Sequence, residues 1–197
     1  MISSESDGAR WPGISVGNTE VDRAIGLDPL NAWPCWMREY CLSVARRHDE
    51  VIAQQKRTKE LDPYLYYLDS WVGLAYREKG MYAESVAEYQ RIQQLTGTPI
   101  AGLAITYARM GKTAESQNIL NEILQLSKRK YVTPEHIAAI YASLGNKEEA
   151  FVWMDKAYEA RTGALPVTFA SPIFDPLRSD PRFTALLKKM RLDQPIL

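Results

Sequence analysis

Residues 71–92 read WVGLAYREKGMYAESVAEYQRI. Trp71, Leu74, Ala75 and Glu78 recur with the 3.6-residue period of one helix face. Gly80 follows, and glycine takes a positive φ after a helix end without steric cost. Val86, Tyr89 and Ile92 then stand apolar at i, i+3 and i+6, so a second helix begins almost at once. The stretch therefore predicts a helical hairpin closed by a tight turn.

The same grammar recurs on both sides. Gly111 lies 31 residues beyond Gly80 and Gly145 another 34 beyond that, each before a fresh amphipathic run. Leu27-Asp28-Pro29 returns as Leu61-Asp62-Pro63 after 34 residues. Arg46 stands 34 residues before Gly80, in a polar turn that lacks the glycine. A repeat of this length built from helix, turn and helix predicts an α-solenoid. Helices are expected over 18–27, 34–45, 49–60, 64–79, 82–95, 98–110, 113–128, 134–144, 147–161 and 181–190. Thr133-Pro134 and Asp180-Pro181 read as N-cap and first helical residue. The last helix has Phe183, Leu186, Leu187 and Met190 on one face. Residues 1–17 hold Gly8, Pro12, Gly13 and Gly17 without a hydrophobic period, and read as a disordered or loosely docked tail. No sustained period-2 alternation appears, so no sheet is expected.

Composition narrows the function. Of 197 residues, 46% are apolar and 24% charged, values of a globular protein. Lys+Arg and Asp+Glu each number 24, so the net charge is zero, which argues against an electrostatic grip on nucleic acid or anionic lipid. Lys128-Arg129-Lys130, the densest basic run, ends a helix, where cations are favoured. No stretch approaches the roughly 18 apolar residues of a membrane helix, and the first residues lack the pattern of a secretory signal, so a cytoplasmic protein is expected. Cys35 and Cys41 are six apart, wrong for a metal-type pair, and read as small apolar residues in reduced form. His48 and His136 fall in different repeats. No phosphate loop, nucleophile triad or ligand cluster stands out, so neither cofactor nor metal nor enzymatic activity is expected.

The repeat unit resembles the tetratricopeptide repeat. The hairpin of 71–92 carries the resemblance best, with Gly73, Ala75, Tyr76, Gly80, Tyr82, Ser85, Tyr89 and Ile92 at motif positions. The next repeat has Ala104, Tyr107, Gly111, Ser116, Leu120 and Ile123, and the last Ala138, Tyr141, Gly145, Ala150, Met154 and Ala157. The first is worn: Glu39, Leu42, Arg46, His48, Val51, Gln55 and Thr58 occupy those places. The resemblance implies an all-α superhelix, a right-handed solenoid. Its array runs over 18–163, a partial repeat and about four more, with a C-terminal capping segment over 164–197. Residues 174–183 resemble the end of tetratricopeptide regions in bacterial signalling proteins.

The resemblance also implies a concave groove lined by the first helix of each repeat. Carried over position by position, it is lined by Trp33, Trp36 and Tyr40, then Tyr67, Ser70, Leu74 and Arg77, then Ile105 and Arg109. Chaperone-binding relatives hold a C-terminal carboxylate with Lys and Asn at the fifth and ninth positions. Here those places hold Trp36 and Tyr40, Ser70 and Leu74, Ala101 and Ile105, Glu135 and Ala139, so the clamp is missing. The expected role is a scaffold or adaptor that takes a peptide or helix in an aromatic groove, as part of a bacterial signalling protein. Two alternatives stand beside it: a groove used as a small-molecule or catalytic pocket, and a structural module that self-associates through its N-terminal repeat end.

Overall fold

The computed structural model describes residues 13–62, 65, 71–162, 168–169 and 171–191, with residues 13–18 described through their backbone. Among them are ten α-helices, one 3-10 helix and no strand. The chain forms two compact units, Met1–Ile92 and Gln93–Leu197.

The first unit holds α1 (Gly13–Leu27), α2 (Ala32–Val44), α3 (His48–Leu61), α4 (Trp71–Glu78) and most of α5 (Tyr82–Thr96). α1 begins five residues before the expected start at 18: Gly13 and Gly17 lack a periodic side chain but do not forbid helix. Asn31 starts α2 by accepting from the Trp33 backbone N–H at 3.0 Å. α2 packs on α1, α3 and α4, around a core of Leu42, Val51 and Ala75 flanked by Ile52 and Trp71. Gly73 has no side chain to keep α5 away, and the Ser85 hydroxyl donates to its carbonyl at 2.8 Å.

The second unit holds α6 (Ala101–Arg109), α7 (Thr113–Ser127), α8 (Pro134–Ser143), α9 (Lys147–Glu159), a 3-10 helix η1 (Pro172–Leu177) and α10 (Pro181–Lys189). α6 starts at Ala101 rather than 98, since a residue before proline is turned away from the helical region and Pro99 follows Thr98. α6 packs on α7 and α8, α8 on α9 and η1, and α10 on α9. Leu120, Ile137, Ile140, Ala150 and Met154 are fully buried between them. Thr133 takes the N-cap position of α8 with Pro134 after it, but its hydroxyl makes no capping bond. Asp180 does cap α10, accepting from the Arg182 N–H at 3.0 Å.

The turns carry the repeat. Gly80, Gly111 and Gly145 have φ of 75°, 76° and 77°, and Arg46 takes the same left-handed place at 58°. Each donates its N–H to the carbonyl three residues back: Arg46 to Ser43, Gly80 to Arg77, Gly111 to Ala108 and Gly145 to Ala142. The next residue reaches five back, Arg47 to Leu42, Met81 to Tyr76, Lys112 to Tyr107 and Asn146 to Tyr141, each at 2.9 Å. These are four Schellman turns of one pattern.

η1 was not expected from the sequence. It forms at Ser171, whose hydroxyl accepts from the Ile173 N–H, and Pro176 inside the run bars a regular α-helix. Phe169, Phe174 and Phe183 meet edge to face or tilted, at 5.4 and 6.2 Å, beneath this segment. Arg182 joins α10 to α9 through Glu148, with N–O distances of 2.8 and 3.0 Å. Cys35 and Cys41 are free and buried.

Candidate functional site

Trp33, Trp36 and Tyr40 follow one another at i, i+3 and i+7 on α2, which puts them on one helix face. α4 lies against α2 and brings Trp71 to the same place. Trp33 stacks on Trp36 with ring centres 5.0 Å apart; Trp36 meets Trp71 at 6.1 Å, and Tyr40 meets Trp71 edge-on at 5.2 Å. Trp33 is 50% exposed, and the other three rings are half-buried. The indole N–H groups of Trp36 and Trp71 are buried without a hydrogen-bond partner among the described residues. Burial pushes the Tyr40 phenol above its ordinary pKa, so it is a neutral hydroxyl at physiological pH. At the end of α1 and in the turn that follows, Leu27 and Leu30 are 80% and 81% exposed.

The other expected groove residues fall differently. Leu74 is half-buried on α4. Arg77, one turn on, is buried, with its guanidinium 3.1 Å from the Glu78 carboxylate. Ile105 is buried and Arg109 exposed, both in the second unit, where Glu135 and Ala139, at the fifth and ninth positions, are buried too. Tyr67 and Ser70 lie outside the described residues. Trp71 was read as a periodic helix residue, not a groove residue, because it stands one place beyond the groove position at Ser70.

Elsewhere the chemistry is sparse. His48 opens α3, and burial holds its imidazole below the ordinary pKa. Its Nδ1 is buried without a partner among the described residues. His136 is exposed in the other unit. Among the described residues, no three His, Cys, Asp or Glu side chains are grouped to hold a metal, and no helix is long and apolar enough to cross a membrane. A cavity of about 430 Å³ opens in the first unit. Its charged lining residues are paired, Asp22 with Arg38 and Arg47 with Glu50.

A tetratricopeptide-repeat family model matches residues 135–162, which is α8, the Gly145 turn and α9. This match and the helical hairpins support a tetratricopeptide-repeat protein. No curated protein matches it. In the matched repeat, Ala138, Ala150, Met154 and Ala157 are fully buried, the small residues allowing close helix approach and the methionine filling the space beside them. The α2–α3 hairpin keeps the turn geometry of this repeat with other chemistry. Glu39 stands where Gly73, Ala104 and Ala138 stand in the others, and it is buried.

Proposed function

We propose that this tetratricopeptide-repeat protein is an adaptor whose first unit captures a peptide or helix of another protein on the face formed by Trp33, Trp36, Tyr40 and Trp71. One observation carries the reading: four rings touch in sequence across two helices, and the outermost keeps half its surface open. Large aromatics in such settings dominate binding energy, and helical repeats bind on the face of their first helices. Leu74 extends this face. Tyr67 and Ser70 are proposed through their repeat positions alone, and Ile105 and Arg109 stand at the same repeat positions within the second unit. Arg77 supports α4 through its buried pair with Glu78. The protein acts without catalysis in this reading, in the cytoplasm, and the segment 174–183 favours a place in a bacterial signalling protein.

The test is selection of peptides from a random displayed library on the intact chain, followed by affinity measurement with Trp33→Ala and Trp36→Ala. Loss of about 2 kcal/mol or more, roughly 30-fold, is expected for each, with far-UV circular dichroism unchanged. Added salt should matter little, because the face carries no free charge pair to screen. Peptides that bind both variants as tightly as the parent would refute it. A second reading, self-association through the N-terminal end, is favoured by exposed Leu27, Leu30 and Trp33 together. A sedimentation coefficient that rises with concentration, and stops rising in Leu30→Lys, would select it.

A further inference from the structure

The helix that presents the aromatic face carries an acid against the core. Glu39, one residue before Tyr40, is 2% exposed. Its Oε1 has no hydrogen-bond partner among the described residues. From α3 the buried Thr58 hydroxyl faces it and favours the charged form. From α5 Glu88 faces it and disfavours that form, although Glu88 is itself held by Arg91 at 3.0 Å. Asp22 of α1 pairs with Arg38, and the Arg77 Nε of α4 pairs with Glu78, while the buried Arg77 Nη2 has no hydrogen-bond partner among the described residues. Among the described residues, no cation is seen paired with the Glu39 carboxylate. A lone charge buried there is costly, and the group escapes the cost by keeping its proton.

We propose that Glu39 is a proton switch for the aromatic face: protonated, it lets α2 close on α3 and present its rings against Trp71 of α4; ionised, it loosens that packing. The proposal rests on the reading of the face as a binding site and adds its regulation. Burial, with a smaller push from Glu88, raises the carboxyl to about 7, so the switch works around neutrality. The sign is the reverse of an ordinary salt-bridged acid. The folded unit holds the proton more tightly than the unfolded chain does. Its full stability is present below the ordinary carboxylate range and is lost as pH rises through about 7.

The test is amide hydrogen exchange on the whole chain at pH 5.5 and 8.5, corrected for intrinsic exchange, with near-ultraviolet circular dichroism of the stacked tryptophans. In the parent, the opening constant of residues 32–61 should rise about 30-fold between these pH values, while residues 101–159 hold steady. The tryptophan signal should change with it. Glu39→Gln, or Glu39→Ala with the small residue of the other repeats, should abolish both responses. Equal opening at both pH values in the parent overturns the proposal. So does a rise that survives in both variants; His48, held below its ordinary pKa by burial, would instead lower the opening constant as pH rises. No partner is present in the measurement, so its failure leaves the reading of the face standing, and failure of that reading leaves the switch testable.

Discussion

Replacing Phe174 with alanine tests how the C-terminal segment closes the second unit. Phe174 is fully buried in η1, which packs on α8, and its ring meets Phe169 edge-on at 5.4 Å. Removing a buried phenyl gives up on the order of 150 Å² of apolar burial, or about 4 kcal/mol at 25 cal/mol per Å². The lost ring pair adds about 1 kcal/mol, and partial collapse of the cavity returns some of it. The expected cost is about 4 kcal/mol, a large share of the roughly 5–15 kcal/mol that holds a domain of this size. Phe174→Leu keeps most of the volume and should cost about 1 kcal/mol. Urea unfolding followed by far-UV circular dichroism gives the total, and hydrogen exchange places it. Protection should fall over α8, α9 and α10 and stay unchanged over α2 and α3. A loss below about 1 kcal/mol in Phe174→Ala, or equal losses in both variants, would show that η1 lies on the unit without supporting it.

Other outcomes follow from the same packing. Ala150→Trp should lower the melting temperature through overpacking of typically about 1–3 kcal/mol, because Ala150 is fully buried on α9; an unchanged melting curve would contradict the repeat register. Gly111→Ala should cost about 1 kcal/mol through its backbone alone, since its φ is 76° and an added Cβ meets open space. Arg46→Gly, at the matching turn, should relieve backbone strain and gain up to about 1 kcal/mol in chemical denaturation, with the opposite sign refuting the strain. Asp180 is held well below its ordinary value, at about 2, first by the Arg182 side chain and then by the Arg182 backbone N–H. Its contribution to α10 is therefore present above the ordinary carboxylate range and lost as pH falls through about 2; a nuclear magnetic resonance titration of its carboxyl with a midpoint near 4 would refute that.

The hairpins were legible because their signals are local. Glycines at 80, 111 and 145 mark left-handed turns, and Asp180-Pro181 marks a helix start that the backbone bears out. η1 was not legible, because a 3-10 turn between two prolines has no hydrophobic period of its own. At the candidate site, Trp33, Trp36 and Tyr40 were named through the repeat resemblance, and their i, i+3 and i+7 spacing puts them on one side of α2. Trp71 was not, because its arrival depends on how α4 lies against α2. Glu39 looked like wear of the motif: a charged residue at a small-residue position says nothing of whether it turns out to water or in to the core. Arg77 shows the same limit, since burial against Glu78 is a tertiary fact. The 34-residue step from Gly80 reached Arg46 despite the missing glycine, and Arg46 closes the first hairpin with the same two hydrogen bonds.

Arg46, Arg161 and Arg191 all adopt positive φ just past the ends of α2, α9 and α10. Each sets a steric penalty against an attraction, for a guanidinium beside a helix C-terminus meets the negative end of its dipole. The two sides respond differently to the medium. Ionic strength screens the attraction and leaves the penalty untouched. The chain thus contains two kinds of joint: glycine joints indifferent to salt, and arginine joints that weaken as salt rises. A brine gradient would therefore fray the first hairpin and the ends of the last two α-helices while the glycine-closed hairpins keep their grip.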